Sequence, residues 1–208
     1  MVEQGTPEWH AMRCGKATAS KIGDLMARTK TGWGASRANY MAQLIAERLT
    51  GTVADGYTNA ALAWGKTTEA EARSAYEFYT GATVALIDFV DHPRIAMSGA
   101  SPDGLVGDAG LVEIKCPNTA THIDYLRGGS IDRKYVLQMQ WQMACTDRVW
   151  CDWVSYDPRM PEEMRLLVRR VERDGELCGE IAGAVTDFLR EVDAAVADLT
   201  AKYRRAAA

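Results

Sequence analysis

Two carboxylates and an amine that could do chemistry together lie between residues 101 and 115. Asp103 stands in the stretch Ser-Pro-Asp-Gly, while Glu113 and Lys115 stand in Leu-Val-Glu-Ile-Lys. Residues two apart on a strand point to the same face, so Glu113 and Lys115 should project together. Turn-forming residues at 107–110 predict that the two stretches are adjacent arms of a hairpin, which would bring Asp103 to the same point.

This cluster predicts a site for a divalent metal ion. Neighbouring carboxylates are costly to hold together unless a cation neutralises them, and hard oxygen ligands suit such an ion. The chemistry that this indicates is metal-assisted hydrolysis of a phosphodiester. The alternative is a solvated strand face on which Lys115 merely pairs with Glu113, after an ordinary Asp-Gly turn. Pro117 favours a site, because it ends the strand and so leaves Lys115 at a strand end.

Seven short motifs, taken in order, resemble those of the PD-(D/E)XK nucleases, and more closely those of the lambda exonuclease and YqaJ-type viral recombinase family. The motifs are Trp9-His10 with Arg13, Thr18-Ala19-Ser20, Ala63-Trp64-Gly65-Lys66 with Glu69, Ser101-Pro102-Asp103-Gly104, Glu113-Ile114-Lys115-Cys116-Pro117, Gln138-Met139-Gln140 and Tyr156-Asp157-Pro158-Arg159-Met160. The ordered set is specific, although no single block is. The resemblance implies an α/β restriction-endonuclease-like fold, with a central mixed sheet flanked by helices.

The resemblance also implies roles at a metal centre. Asp103, Glu113 and the backbone carbonyl of Ile114 would bind the metal, and Glu69 would support the site from its helix. Lys115 would orient or deprotonate the attacking water. The metal would be Mg²⁺, with Mn²⁺ as a possible substitute, and two ions about 4 Å apart could serve both the attacking water and the departing 3′ oxygen.

A second group of residues matches positions that face DNA in the family. These residues are Arg13, Ser20, Lys30, Leu62, Ser101 and Gln138. Arg13 would hold a 5′ phosphate, because its planar fork can donate two hydrogen bonds to phosphate. Leu62 would be a wedge that unstacks the duplex end, and Lys30 stands where the family has a loop arginine. The alternatives are an exposed helix charge for Arg13 and plain core for Leu62.

The function implied by the resemblance is a Mg²⁺-dependent, processive exonuclease on double-stranded DNA ends. It would degrade one strand from the 5′ end, release 5′ mononucleotides and leave a 3′ single-stranded tail for phage-type recombination. The family further implies a homotrimeric ring around DNA and a single-strand annealing protein as partner. Two alternatives stay open: a structure-specific or restriction-type endonuclease on the same fold, and a DNA-binding module without catalysis.

Composition and charge set the outer bounds. A chain of 208 residues, 47% hydrophobic and 25% charged, predicts a single domain over residues 1–208, with a disordered tail at about 203–208. No signal sequence or membrane-length apolar run is seen, so we expect a cytoplasmic protein without membrane contact. The net charge is −4, but six basic residues against one acid between Arg13 and Arg37 predict a local DNA-binding arm. A solvated helix face is the alternative.

Periodicity and turn residues predict an alternating order of helices and strands. Helices are expected from Thr6-Pro7, from about 18–20, and over 37–50, 58–80, 119–127, 132–145 and about 177–199. Strands are expected at 83–90, 94–99, 103–106, 111–115, 149–156 and 165–172. A glycine-punctuated loop at 29–36 is of a kind that can reach a ligand.

Overall fold

The computed structural model describes residues 5–30, 32–53 and 60–203, with the backbone only at 60–63, 65 and 66. The α-helices in this part of the chain are α1 (Pro7–Arg13), α2 (Ile22–Leu25), α3 (Ala35–Thr50), α4 (Ala60–Thr80), α5 (Thr119–Leu126), α6 (Arg133–Thr146) and α7 (Gly175–Tyr203). The strands are β1 (Ala17–Thr18), β2 (Arg28–Thr29), β3 (Gly32–Trp33), β4 (Val84–Ala85), β5 (Val90–Asp91), β6 (Ser98–Ala100), β7 (Gly104–Val106), β8 (Gly110–Lys115), β9 (Trp150–Tyr156) and β10 (Leu166–Glu172).

The larger sheet is mixed and has the strand order β10-β9-β8-β7-β4. Strand β8 pairs antiparallel with β7, where Gly104 lies opposite Val112, and parallel with β9, where Glu113 lies opposite Trp153. Parallel neighbours need a crossover connection, which α5 and α6 supply here. The predicted hairpin and the predicted central mixed sheet are both confirmed.

Helices cover both faces of this sheet and decide what each side chain of β8 meets. Ile114 packs in the cluster that includes Ala72 of α4, whereas Leu111 packs with Met139 of α6. Because side chains alternate along a strand, Glu113 shares the α6 side with Leu111. The strand therefore carries an acidic side chain into the interface between the sheet and α6.

A further apolar cluster joins the N-terminal segment to α6 and α7. Its buried members are Ala17, Ala19, Ile22, Leu25, Tyr40, Leu44, Ala100, Leu137, Trp141, Cys145, Ile181, Val185, Phe188, Leu189 and Val192. The members in α7 recur at helical spacing, as expected for an amphipathic helix at this position. This cluster holds β1 and α2 beside β6, which leads into Asp103.

Local signals fix several helix ends. Thr6 Oγ1 accepts a hydrogen bond of 3.3 Å from the backbone N–H of Trp9, as expected for an N-cap before a proline. Gly51 and Gly81 follow α3 and α4 with φ of 71° and 68°, which glycine adopts without strain. The end of the chain from residue 204, predicted to be disordered, lies outside the described residues. Within the described ranges, no helix is long and apolar enough to span a membrane.

Two predicted strands are wrong in extent. The segment predicted as one strand over 83–90 is divided, because β4 pairs with β7 of the larger sheet and β5 pairs with β6 of a three-stranded sheet. The strand predicted over 94–99 is confined to Ser98–Ala100. Before it, His92 Nδ1 accepts hydrogen bonds from the backbone N–H groups of Arg94 and Ile95, which holds the chain in a turn. These N–H groups thus donate to a side chain and not to a neighbouring strand.

Candidate active site

Glu113 is the centre of a buried polar cluster. Its side chain is fully buried, and both of its oxygens are engaged. Oε1 accepts a hydrogen bond of 2.7 Å from Gln138 and forms an ion pair with Lys115 Nζ, while Oε2 accepts one of 2.6 Å from Gln142. A buried carboxylate needs such donors, because an unpaired one would carry a large desolvation penalty.

Asp103 joins this cluster through the backbone of the neighbouring strand. Its Oδ2 accepts a hydrogen bond of 2.7 Å from the backbone N–H of Ile114. Burial raises the pKa of Asp103 well above its usual value, and the nearby charge of Glu113 raises it further. Two carboxylates in one buried place cannot both ionise cheaply, so this pair is set to receive positive charge.

Lys115 is held as an ammonium by the same carboxylates. Burial opposes its charged form, but Glu113 and then Asp103 outweigh burial and raise the pKa of Lys115 above its usual value. Its Nζ also lies 5.1 Å from the centroid of the Tyr135 ring. In the protein alone, Lys115 is therefore a donor of hydrogen bonds rather than a base.

The glutamines of α6 divide between two roles. Gln138 and Gln142 are one helical turn apart and both donate to Glu113. Gln140 points elsewhere: its Nε2 donates to the carbonyl of Glu172 at 2.8 Å, and its Oε1 accepts from the backbone N–H of Asp174 at 2.8 Å. Gln138 was predicted to face DNA, and in the protein alone it donates to Glu113; Gln142, which does the same, was missed. Its spacing of four from Gln138 is the signal that could have indicated it.

Glu69 lies close enough to act on the cluster electrostatically from α4. Its charge contributes to the raised pKa of Asp103. Burial, followed by the charges of Glu69 and Asp103, raises the pKa of the Cys116 thiol to about 12. The structure thus places Glu69, Asp103, Glu113 and Lys115 in one neighbourhood.

The oxygen donors of this neighbourhood fit a hard divalent cation. Asp103 and Glu113 supply carboxylates, and burial, followed by the charge of Glu113, raises the pKa of Asp103, so a cation beside it would favour the ionised form. Across residues 5–30, 32–53 and 60–203, no three His, Cys, Asp or Glu side chains form a ready-made metal site. A cation here would therefore need further oxygens, such as the Ile114 carbonyl or water.

Arg13 forms a separate polar pocket beside the cluster. Its guanidinium donates hydrogen bonds to three hydroxyl groups: Ser101 at 3.2 Å, Thr18 at 3.4 Å and Ser20 at 3.4 Å. It also lies over the ring of Trp9, with 3.9 Å from Cζ to the ring centroid. The sequence-predicted residues Arg13, Ser20 and Ser101 therefore meet in space.

In the described part of the chain, the hydrogen-bond partners of Arg13 are neutral hydroxyl groups and not carboxylates. Among the described residues, none forms an ion pair with it within 4.0 Å, and burial lowers the pKa of Arg13 to about 10. A buried cation surrounded by neutral hydroxyls is suited to an incoming anion. Ser101 precedes Asp103 by two residues, so this anion pocket adjoins the carboxylate cluster.

The basic arm predicted between residues 13 and 37 is only partly available. Lys16 pairs with Asp91, Lys21 with Asp24 and Arg37 with Glu191. The other three basic residues of the arm form no such ion pair within the described residues. They are Arg13, Arg28 and Lys30. Lys30 lies exposed in the turn of the β2–β3 hairpin. The side chain of Leu62 lies outside the described residues.

Comparison with known proteins places the chain in a family. The model of the YqaJ-like viral recombinase domain matches residues 8–149. The chain belongs to this family. Two structures of LHK-Exo, an alkaline exonuclease from Laribacter hongkongensis, are each 51% identical to this YqaJ-like chain and cover 95% of it and 97% of their own length. Their TM-scores are 0.89, for LHK-Exo in complex with dAMP, and 0.88.

A more distant structure supports only the fold of this YqaJ-like protein. A phage-related exonuclease from Haemophilus somnus 129PT is 15% identical, has a TM-score of 0.69 and covers 88% of this chain and 96% of its own. No match was found among curated proteins. The PD-(D/E)XK-like fold predicted from the motifs is confirmed, and membership of the family implies a nuclease.

Proposed function

We propose that this YqaJ-like protein is a metal-dependent exonuclease that degrades one strand of duplex DNA from its 5′ end. It releases 5′ mononucleotides and leaves a 3′ single-stranded tail. The observation that carries the proposal is the pairing of two unlike pockets: a buried carboxylate cluster and, beside it, an arginine without a carboxylate partner among the described residues. An enzyme that cuts within a closed duplex needs the first pocket only. A pocket for a terminal phosphate favours action at a strand end.

Asp103, Glu113 and the Ile114 carbonyl would hold Mg²⁺, or Mn²⁺ in its place, as two ions per site by likeness to the family. When bound, such ions lower the pKa of water and stabilise charge at the leaving oxygen. Gln138 and Gln142 hold the Glu113 carboxylate in position, and the Ile114 N–H holds Asp103. The protein thereby orients both ligands before DNA arrives.

Lys115 and Arg13 would act on the DNA strand itself. The Lys115 ammonium, held by Glu113, would donate to the scissile phosphate or orient the attacking water. Arg13, flanked by Ser20 and Ser101, would hold the terminal 5′ phosphate. Glu69 would support the metal centre, while Lys30 and the wedge Leu62 would contact the duplex. A homotrimeric ring and an annealing protein for the 3′ tail complete the proposal by family likeness.

Substrates that differ only in their ends test this function. Linear duplex, nicked circle and covalently closed circle of one sequence would be incubated with the protein and Mg²⁺. We expect mononucleotide release from the linear duplex and no cleavage of the closed circle, because the closed circle has no 5′ end. Cleavage of the closed circle at a comparable rate would instead establish the endonuclease, and binding of DNA without cleavage would establish a non-catalytic module.

The Arg13 pocket predicts a preference for phosphorylated ends. A charge-assisted hydrogen-bonded pair contributes on the order of 2 kcal/mol, so wild type should prefer a 5′-phosphoryl over a 5′-hydroxyl end by about tenfold or more. Arg13→Ala should lose this preference, and Arg13→Lys should recover only part of it, since an ammonium lacks the planar fork. Initial rates with excess enzyme measure the preference. A wild type that ignores the phosphate would contradict 5′ polarity.

A second prediction separates Gln142 from Gln140, two buried glutamines of one helix. Gln142→Leu removes a donor from Glu113, so the Mg²⁺ concentration needed for half-maximal hydrolysis should rise by about tenfold, as is typical when a partner of a metal ligand is lost. Gln140→Leu should leave the Mg²⁺ requirement unchanged, because the Gln140 side chain bonds to the backbone of residues 172 and 174 and to the Cys178 thiol, not to Glu113.

Melting temperatures provide the control for that comparison. Gln140→Leu should melt at a lower temperature than wild type, because it removes the hydrogen bonds of Gln140 to the Glu172 carbonyl and the Asp174 N–H. Ca²⁺ should bind without supporting hydrolysis and raise the melting temperature, so the size of this rise measures binding at the metal site. Equal Mg²⁺ and Ca²⁺ responses in the two variants would show that Gln142 does not position Glu113.

A further inference from the structure

A second cavity lies outside the carboxylate cluster, between α2, the β2–β3 hairpin, α6 and α7. Its volume is about 760 Å³. Three cationic side chains line it, Arg28, Arg133 and Lys134, together with the apolar side chains of Met26 and Leu137. A wall of this kind offers charge for an anion and apolar surface for the less polar parts of the same ligand.

The hairpin side of the cavity is fixed by two arginines that lie over the Trp33 ring. Arg28 Cζ lies 4.0 Å from the centroid of the Trp33 ring, and Arg37 Cζ lies 4.2 Å from the same centroid. Arg37 in turn donates two hydrogen bonds of 2.9 Å to the carboxylate of Glu191 on α7. Trp33 therefore holds Arg28 in a set position at the cavity, which reduces the entropy lost when Arg28 binds a ligand.

The cations of the cavity are open to a new partner. Within the described part of the chain, no carboxylate forms an ion pair with Arg28 or Arg133 within 4.0 Å, and Lys134 has only Asp132 at 3.6 Å. The cavity also has two acidic side chains, Glu180 and Asp187, both from α7. Asp187 is already paired with Arg190 at 3.0 Å. Positive charge is thus concentrated on the α6 and hairpin side.

This cationic side is continuous with the active-site cluster. Lys134 precedes Gln138 by one helical turn on α6, so the two side chains lie on the same face. Lys134 Nζ is 4.8 Å from the centroid of the Tyr135 ring, and Lys115 Nζ is 5.1 Å from the same centroid. A strand that leaves the cluster along α6 would reach Lys134 first.

We propose that this cavity binds the phosphates of the cut strand on the 3′ side of the scissile bond. The inference rests on the proposed function, since it needs a DNA strand in the cluster. The phosphates next to the scissile one would be the first phosphates that Lys134 meets along α6, and Arg133 and Arg28 continue the positive wall. Met26 and Leu137 offer apolar surface to sugars and bases. The cavity holds the strand in register for the next cut.

Single charge removals test the proposal by binding. With Ca²⁺ in place of Mg²⁺, Lys134→Gln and Arg133→Gln should each bind a linear duplex several-fold more weakly. Each should also reduce the slope of log affinity against log salt by about 0.7 to 0.9, the amount expected for one lost phosphate contact. Lys202→Gln, which removes an exposed charge paired with Asp198 at the far end of α7, is the control and should bind as wild type does.

Neutral methylphosphonate linkages identify the strand. Placed two to four nucleotides into the cut strand, they should weaken wild-type binding and abolish the difference between wild type and Lys134→Gln. The same linkages in the complementary strand should preserve that difference. If only the complementary strand responds, or if both variants bind as wild type does, the proposal is overturned. Hydrolysis of linear DNA by wild type tests the proposed function separately, so the two failures can be told apart.

Discussion

The Asp103→Asn variant should hydrolyse DNA about a thousandfold more slowly than wild type, yet melt at a higher temperature in the absence of metal. The loss follows because a ligated metal contributes several kcal/mol to the transition state, and about 4 kcal/mol is a factor of a thousand. The gain in stability follows because Asn removes a carboxylate that is buried beside Glu113, while its side-chain oxygen can still accept the Ile114 N–H. Activity assays and thermal melts measure the two effects.

The stability difference should depend on pH with a definite sign. The pKa of Asp103 is raised in the folded protein, so the folded state binds its proton more tightly than the unfolded state does. Wild type without metal should therefore lose stability as pH rises from the usual aspartate range through the raised pKa, and Asp103→Asn should lack this loss. The advantage of the variant should be larger at pH 8 than at pH 4.

Asp157→Asn is the matched control, because Asp157 is also a buried aspartate but its pKa is lowered, whereas the pKa of Asp103 is raised. Although burial opposes its charged form, hydrogen bonds from Arg159 and Thr119 lower the pKa of Asp157 to about 2. Asn at this position should lower the melting temperature near neutral pH and keep the Mg²⁺ response. If Asp103→Asn behaved like Asp157→Asn in both measurements, Asp103 would be a structural residue and the metal assignment would be wrong.

Lys115→Met should reduce turnover by about a hundredfold or more while a divalent ion still binds. Removing a positioned donor from a developing charge costs this much in other enzymes, and Met keeps an unbranched, uncharged side chain that is only one heavy atom shorter than Lys. Asp103 and Glu113 would remain to bind the ion, and Gln138 and Gln142 would still hold Glu113. Single-turnover rates at saturating Mg²⁺ and calorimetric titration with Ca²⁺ separate the two effects.

Arg173→Met controls for the loss of a half-buried ion pair. The Arg173 side chain is 28% exposed and pairs with Asp147, and that of Lys115 is 25% exposed and pairs with Glu113. Arg173→Met should keep wild-type turnover. A Lys115→Met variant that cuts normally, or one that no longer binds Ca²⁺, would remove Lys115 from the chemistry.

The sequence could predict those elements whose determining residues lie close together along the chain. The hairpin that carries Asp103 and Glu113 could be predicted, because turn formers and alternation lie within a dozen residues. The parallel pairing of β8 with β9 gives no local signal, since α5 and α6 separate the two strands. The strand predicted at 94–99 was wrong because the decisive acceptor is the side chain of His92, whose hydrogen bonds no periodicity reveals.

The residues of the candidate site also fall into those that the sequence could predict and those that it could not. Family motifs brought Arg13, Ser20 and Ser101 into one list, and the structure brings them into one pocket. Gln142 was missed although its spacing from Gln138 was readable, because a glutamine on a helix is usually an exposed polar residue and only packing shows that it is buried. The charge of the basic arm was overestimated, since partners such as Glu191 lie far away in sequence.

The position of helix α7 late in the chain has a consequence for the order in which the two pockets form during synthesis. Ile181, Val185 and Phe188 cover the apolar side of the segment that follows Arg13, in a cluster with Ile22 and Leu25. A ribosome delivers these α7 residues after Asp103 and Glu113, so a growing chain holds its acidic cluster before it has the residues that support the segment after Arg13. A chain that has not yet reached α7 should therefore lack a firmly placed Arg13 pocket.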